Sequence, residues 1–222
     1  MVIIDPLVKD IFIPFLNMSY RIFPNYGVAI IALTVLVKIV FYPLNKKQFD
    51  AMKINQKLQP KLKEIQEKHK GDPAKAQSEI MALWKSHNTH PFSGCLPLLI
   101  QLPFFFGIFA TMQSTAFKSI LAQPHINPGF LTFWLSNLAK TDPYYILPVV
   151  IGIATYFSQK LFVTDPKQAA LFIFMPFLMV FISIKMPAGA LLYLATSQVL
   201  SVVQQYILIR LDRKSTALVD VH

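Results

Sequence analysis

The chain has 222 residues, of which 54% are hydrophobic and only 14% charged, and its formal net charge is +10. This composition excludes an ordinary soluble domain and is typical of a polytopic membrane protein with one membrane domain. The single cysteine, Cys95, excludes an internal disulfide. The positive charge cannot by itself indicate a nucleic-acid partner, because basic loops also set the orientation of membrane proteins.

Residues 1–24 predict an amphipathic helix that lies in the membrane interface. Apolar side chains recur there at spacings of three and four residues, and polar or charged residues separate them. A basic leader followed by an apolar core and a small-residue cleavage site is missing, so a cleaved signal peptide is not expected. The apolar positions are Leu7, Ile11, Phe15, Met18 and Ile22.

Residues 25–45 predict the first transmembrane helix, since about 20 mostly apolar residues span the hydrocarbon core of a bilayer. Lys38 lies in this segment, roughly 18 Å along the helix from Tyr26, and Thr34 shares its face. A lysine at this depth has two interpretations. Its long stem can carry the ammonium to the interface, or the charge can face protein or water inside the membrane.

Residues 46–90 predict a cytoplasmic helical hairpin. Gly71, Asp72 and Pro73 interrupt two stretches of helical apolar spacing, which is the pattern of two antiparallel helices joined by a turn. The hairpin is strongly basic, with ten lysines against five acidic residues.

The rest of the chain predicts four further transmembrane helices, which makes the fold an all-α polytopic membrane protein with five spans. The last span carries serines and glutamines at helical spacing and so has a polar stripe of its own. The predicted segments are spans at 91–113, 144–162, 169–184 and 190–209, an outer loop at 114–143, a cytoplasmic loop at 163–168, an outer turn at 185–189 and a basic cytoplasmic tail at 210–222.

The placement of lysine and arginine predicts the orientation. If the hairpin is cytoplasmic, the inner segments hold fifteen basic residues and the outer segments hold five, with Lys38 counted in neither. Cytoplasmic loops of membrane proteins are enriched in these residues, so the N-terminus is expected outside and the C-terminus inside. The net charge is then mainly a topology signal, although attraction to anionic lipid or ribosomal RNA stays open.

The sequence offers no catalytic constellation. It has no nucleophile elbow and no phosphate-binding glycine loop, and no Asp or Glu falls inside a predicted span. His87 and His90 lie near Cys95 but lack an obvious fourth ligand, so no metal site is predicted. We therefore expect neither an enzyme nor a bound cofactor.

What remains is one intramembrane cation together with polar side chains on several spans. A single Ser or Gln in a span is more often a hydrogen-bonding contact between helices. Together, and without an acidic partner, they predict a hydrophilic groove around an unneutralised Lys38, which would attract acidic or polar peptide. The predicted polar lining is Thr34, Gln101, Gln159, Ser197, Ser201, Gln204 and Gln205.

Three long segments resemble the YidC-type membrane protein insertases of the YidC/Oxa/Alb superfamily: NYGVAIIALTVLVKIVFYPLNKKQ at 25–48, the hairpin with the following span at 58–109, and MPAGALLYLATSQVLSVVQQYIL at 186–208. The resemblance extends from Asp5 to Arg213. It implies five transmembrane helices around a groove that is open to the cytoplasm and lipid, with a cytoplasmic hairpin and an external amphipathic N-terminal helix. The large periplasmic domain of Gram-negative members has no match here, so the resemblance is to the core domain.

The resemblance also implies a function. The hairpin and tail would receive nascent membrane proteins from the ribosome and the signal recognition particle system, with the Sec translocon and membrane lipids as further partners, in the bacterial plasma (inner) membrane. Lys38 matches a groove residue that is usually arginine in the family, and no nucleotide or metal is needed. The substrate's apolar helix would leave along a slide formed by Phe104, Phe105, Ile108, Phe172, Met175 and Met179.

Two other classes of function remain open at this point. A small secondary transporter would bind an anionic solute at Lys38, although such folds usually contain internal repeats, and the five unequal spans show none. A structural membrane scaffold would use the hairpin as a docking arm, and Lys38 would only extend to the interface.

Overall fold

The computed structural model describes residues 7–87, 96–123, 126, 130–131, 133–160 and 166–219. Within these ranges the regular secondary structure is helical and no strand forms. The predicted all-helical class is therefore confirmed for the part of the chain that is described.

The N-terminal segment packs one face against the core and turns the other outward. A π-helical turn, Leu7–Phe12, leads into α1 (Ile13–Ile22), and the chain then bends by 115° into α2 (Tyr26–Val40). Val8, Phe12 and Leu16 are buried, whereas most of the apolar set predicted from the sequence faces outward, with Ile11, Met18 and Ile22 more than half exposed. The segment thus has an apolar outer face in addition to its packed inner face, as expected for a helix in an interface.

Helix α2 begins and ends at residues whose chemistry explains the boundary. The Asn25 side chain accepts a hydrogen bond from the Val28 amide at 3.0 Å and caps the N-terminus. The helix ends at Val40, earlier than the predicted span limit at residue 45, and α3 (Tyr42–Lys68) starts after a break at Phe41. Pro43 accounts for this break, since its ring nitrogen cannot donate to the preceding turn.

Helices α3 and α4 (Pro73–Ser86) form the hairpin. The Asp72 carboxylate accepts from the Lys75 amide at 3.0 Å, which caps α4. Leu58 and Leu62 of α3 are buried, but α4 has no buried residue. The apolar seam between the two helices is therefore thin, and little packing holds the hairpin together.

The remaining helices are α5 (Leu96–Gln113), α6 (Thr115–Leu121), α7 (Ile146–Lys160), α8 (Pro166–Ser183) and α9 (Ala188–Val219). Helix α9 is central, because it packs against α2, α5 and α7, while α8 packs on α7. Their shared core includes the fully buried side chains of Ile30, Ile108, Met112, Ile151 and Leu191.

Length and composition alone support fewer spans than the five predicted. Among the described residues, one continuous helix is long and apolar enough to cross a membrane, Ala188–Asp212 within α9. The bent pair Asp10–Ile22 and Tyr26–Val40 passes the same test only if it is counted as one span. Ile146–Lys160 and Phe174–Ser183 are apolar but shorter. The number of spans therefore stays a prediction.

A buried carboxylate organises the connection before α7. Asp142 is 2% exposed, and it accepts three hydrogen bonds: from Trp134 Nε1 at 2.8 Å, from the Tyr144 amide at 3.1 Å and from the Leu147 amide at 2.7 Å. Leu147 lies in the first turn of α7, where backbone N–H groups have no partner within the helix. Asp142 thus joins the preceding loop to the start of this helix.

Gly27 is expected to tolerate no side chain. A Cβ atom built there would lie 2.7 Å from the backbone Cα of Phe130, and this backbone is itself held by a 3.0 Å hydrogen bond from Asn25 Nδ2 to the Phe130 carbonyl. Gly27→Ala should lower the free energy of unfolding by about 1–3 kcal/mol, because overpacking forces the backbone to move. Thermal unfolding of the purified chain in detergent measures this change.

The matched control is Gly71→Ala in the hairpin turn, where an added Cβ would meet nothing within 4 Å. This variant should unfold at the temperature of wild type to within experimental error. Equal effects of the two substitutions would contradict the close approach of Phe130 to Gly27.

Candidate functional site

A cavity lies between α2, α9, α5 and the base of the hairpin. It holds about 630 Å³ of empty space, including its open mouth. Its apolar lining consists of Val37, Phe41, Phe49, Met52, Phe104 and Leu208. Its polar lining consists of Lys38, Asn45, Gln48, Gln101, Ser201, Gln204 and Gln205. A site with an apolar wall and a few convergent polar groups is the usual form of a binding pocket.

Lys38 supplies the charge of this cavity. Its ammonium donates to Ser201 Oγ at 2.7 Å, and the Ser201 hydroxyl in turn donates to the Ser197 carbonyl at 2.9 Å. An ammonium has three N–H donors, and among the described residues that line the cavity none is acidic. The positive charge is therefore oriented by a hydroxyl but not neutralised, and the cavity favours an anion or a group of strong acceptors.

Two glutamines link the cavity to neighbouring helices. Gln101 Nε2 donates to the hydroxyl of Tyr193, which is buried in the core. Gln205 Oε1 accepts from Ser158 Oγ of α7 at 3.0 Å. These contacts fix two sides of the cavity and join α7 to it through α9.

The structure brings together five of the eight polar site residues predicted from the sequence: Lys38, Gln101, Ser201, Gln204 and Gln205. The other three do not line the cavity. Thr34 is buried and donates to the Ile30 carbonyl of its own helix at 2.7 Å. Ser197 is buried, and its carbonyl accepts from Ser201 Oγ. Gln159 lies on α7, with a buried Oε1 that has no partner among the described residues.

The predicted slide residues have different surroundings where the structure describes them. Phe104 lines the cavity, Phe105 and Met179 pack against the core, and Met175 is half-buried. Ile108 is fully buried, so its side chain lies in the core and is not exposed to a substrate. The side chain of Phe172 lies outside the described part of the chain.

A different set of aromatic side chains is exposed on α8. Phe174, Phe177 and Phe181 are between 59% and 73% exposed. Their spacing of three and four residues places them on one face of the helix. The same spacing is visible in the sequence and could have identified this surface.

Sequence reasoning also missed the contribution of the hairpin to the cavity. Asn45, Gln48 and Met52 lie on α3 and line the cavity beside Lys38. They follow one another at intervals of three and four residues, which places them on one face of α3. This spacing was the feature of the sequence that could have identified them as cavity residues.

No group of three or more His, Cys, Asp or Glu side chains that could hold a metal ion occurs among the described residues. His87 Nδ1 lies 3.0 Å from both Ser86 Oγ and the Leu83 carbonyl. His90 and Cys95 lie outside the described residues.

Comparison with known sequences identifies the family. The sequence model of the family described as 60Kd inner membrane protein matches residues 18–215. The chain belongs to this family. The family match therefore includes every helix that lines the cavity.

Curated relatives carry a more specific name. The chain is 39% identical over 193 residues to the membrane protein insertase YidC of Syntrophus aciditrophicus, which covers 86% of this chain and 34% of that protein. It is 38% identical over 203 residues to the YidC of Helicobacter pylori strain 26695, covering 90% of this chain and 36% of that protein. The chain thus spans about a third of the length of these curated relatives.

A solved structure has the same fold. The crystal structure of an active YidC insertase with its first transmembrane domain resolved superposes with a TM-score of 0.73 at 27% sequence identity. The match covers 88% of this chain and 44% of that one. This chain therefore shares its overall fold with that insertase over the matched part.

Proposed function

We propose that this chain inserts newly made membrane proteins into the bacterial inner membrane. One observation carries the proposal: an unneutralised Lys38 in a cavity formed by helices of an insertase family. An acidic or polar segment of a substrate gains a favourable contact there, which lowers the cost of moving it partway across the bilayer.

In this proposal the chain has five spans, of which the first, second and fifth line the cavity together with the base of the hairpin. The N-terminus lies outside and the C-terminus in the cytoplasm. The excess of lysine and arginine in the hairpin and tail supports this orientation. The hairpin receives a nascent chain from the ribosome or the signal recognition particle system, and the Sec translocon cooperates with some substrates.

The substrate's apolar helix then partitions into lipid, which supplies the driving force without a nucleotide or metal. Among the predicted slide residues, Phe104 lines the cavity, and Phe105 and Met179 are partly buried against the core. Aromatic and thioether side chains suit this role, since they adapt to varied apolar surfaces.

The test is insertion of a single-span client with an acidic translocated tail in cells depleted of their own insertase. Cells that express this chain should protect the tail from cytoplasmic protease, and cells with an empty vector should not. Failure of the stably expressed chain to insert the client would contradict the proposal. Uptake of an anionic solute by proteoliposomes that contain the chain would then favour the transporter hypothesis.

A further inference from the structure

A serine on α7 holds one of the glutamines of the cavity wall from behind. Ser158 donates from its Oγ to Gln205 Oε1 at 3.0 Å, and both residues are half-buried. Gln205 lines the cavity, whereas α7 contributes no residue to the lining that the structure describes. Any effect of Ser158 on the cavity is therefore exerted through Gln205.

Ser158 uses its hydroxyl differently from other serines and threonines of the apolar helices. Four of these donate to the carbonyl four residues earlier in their own helix, at 2.6–2.9 Å: Thr34, Thr111, Ser183 and Ser201. Such a bond within the helix is a common way to satisfy a hydroxyl that lies away from water. Ser158 donates instead to a side chain 47 residues away, so its hydroxyl joins two helices.

The bond from Ser158 restricts a side chain that is flexible by nature. Glutamine has several rotatable bonds, and the last of them has only a broad preference. Because its oxygen accepts from Ser158, the plane of the Gln205 amide is held, and its nitrogen can donate to another partner. A group that is already ordered loses less freedom when it makes a further contact.

A second hydrogen bond joins the same two helices but involves no residue of the cavity. Gln198 Nε2 donates to Thr155 Oγ1 at 3.3 Å, and neither residue belongs to the described lining. Gln198 precedes Gln205 by seven residues on α9, which is about 10 Å along the helix. Both bonds hold α7 against α9, but only the bond from Ser158 acts on a cavity residue.

We propose that Ser158 is a positioning residue, which holds the Gln205 amide in the cavity wall ready to contact uncharged polar groups of the segment that enters. The inference rests on the proposed insertase function. It extends the residues that support this function to α7, a helix outside the described lining of the cavity. It also gives the wall a neutral amide contact that is separate from the charge of Lys38.

The test is a double-mutant cycle on insertion. Ser158→Ala, Gln205→Leu and the double variant are compared with wild type for the rate at which a single-span client with an uncharged polar tail becomes protected from protease. Ser158→Ala should slow this insertion about threefold to tenfold, the effect of losing one neutral hydrogen bond. In the Gln205→Leu background it should cause no further loss, because residues that act through one shared contact are not additive.

Two controls separate positioning from packing of α7. Thr155→Val removes the other hydrogen bond between α7 and α9 and should insert the client at the rate of wild type. A second client, whose translocated end is a few alanines, brings few polar groups to the cavity. Ser158→Ala should insert this client as wild type does, whereas general damage to the fold would slow both clients alike.

Four results would overturn the inference: an unchanged rate for Ser158→Ala, additive effects of Ser158→Ala and Gln205→Leu, equal losses for both clients, or an equal loss with Thr155→Val. Each would make Ser158 an ordinary contact between helices. The proposed function fails in a different way. In that case wild type itself, although stably expressed, would insert neither client.

Discussion

Replacement of Lys38 by methionine or glutamate is expected to reduce insertion of a client with an acidic tail at least tenfold, whereas arginine should preserve it. Methionine keeps much of the length of the side chain but removes the charge and the hydrogen bond to Ser201. Two unit charges about 4 Å apart interact with about 4 kcal/mol at an effective dielectric constant of about 20. Glutamate reverses the sign of that interaction and should be the more harmful change.

Arginine tests a different property of the site. It retains the charge and adds a planar fork that can bind a carboxylate through two hydrogen bonds. Lys38→Arg should therefore insert the client at least as well as wild type. The readout is protease protection of the translocated tail at matched expression levels.

The control for Lys38 is Lys47→Met, since Lys47 is an exposed lysine on α3 that does not line the cavity. Insertion by this variant should equal that of wild type. Equal insertion by wild type and all three Lys38 variants would show that the lysine only extends to the interface. A client with a neutral tail should be affected much less by the Lys38 substitutions.

Loss of the Asp142 carboxylate is expected to lower the stability of the fold by about 3 kcal/mol. Asp142→Ala leaves Trp134 Nε1 and the Leu147 amide without their partner, and an unsatisfied buried donor costs about 1–3 kcal/mol. In a chain of this size, such a change corresponds to a decrease of roughly 6–12 °C in the unfolding temperature. Thermal unfolding in detergent, followed by tryptophan fluorescence, measures it.

Two variants separate the contributions of the three hydrogen bonds. Trp134→Phe removes only the bond from the indole and should cost less than Asp142→Ala. Its unfolding is followed by circular dichroism, because it loses one of the two tryptophans. Asp142→Asn keeps one carbonyl oxygen but cannot accept on both sides, so its effect should be intermediate. An unfolding temperature of Asp142→Ala close to that of wild type would contradict a structural role for this carboxylate.

Helical periodicity predicted part of the cavity, because residues three or four positions apart in the sequence lie on the same face of a helix. Ser201, Gln204 and Gln205 share one face of α9 in this way. Tertiary packing then brings Lys38, which is 163 residues from Ser201 in the chain, to the same cavity. Periodicity did not indicate which hydroxyl groups would donate their hydrogen bond to a carbonyl of their own helix. Thr34 bonds to the carbonyl four residues earlier, so it offers its hydroxyl proton to no ligand.

Other site residues were assigned wrongly because a helix that is apolar on every face gives no sign of which face is buried. Helix α5 is apolar nearly all round, so the sequence does not distinguish a core-facing position such as Ile108 from an outward one. The position of Gln159 depends on the rotation of α7 against α9, which tertiary packing sets. By contrast, the helix break at Phe41 was readable from Pro43, and recognising it would have directed attention to Gln48.

The long helix α9 has a consequence for how firmly the hairpin is held. Its 32 residues give about 48 Å of length, roughly 18 Å more than a hydrocarbon core requires. Near its C-terminal end, Asp212 forms an ion pair with Lys53 of α3. Both partners are partly exposed, and such a pair contributes at most about 1 kcal/mol. Dissolved ions screen it further. The strength of this link between α9 and the hairpin therefore depends on ionic strength, and high salt is expected to weaken it.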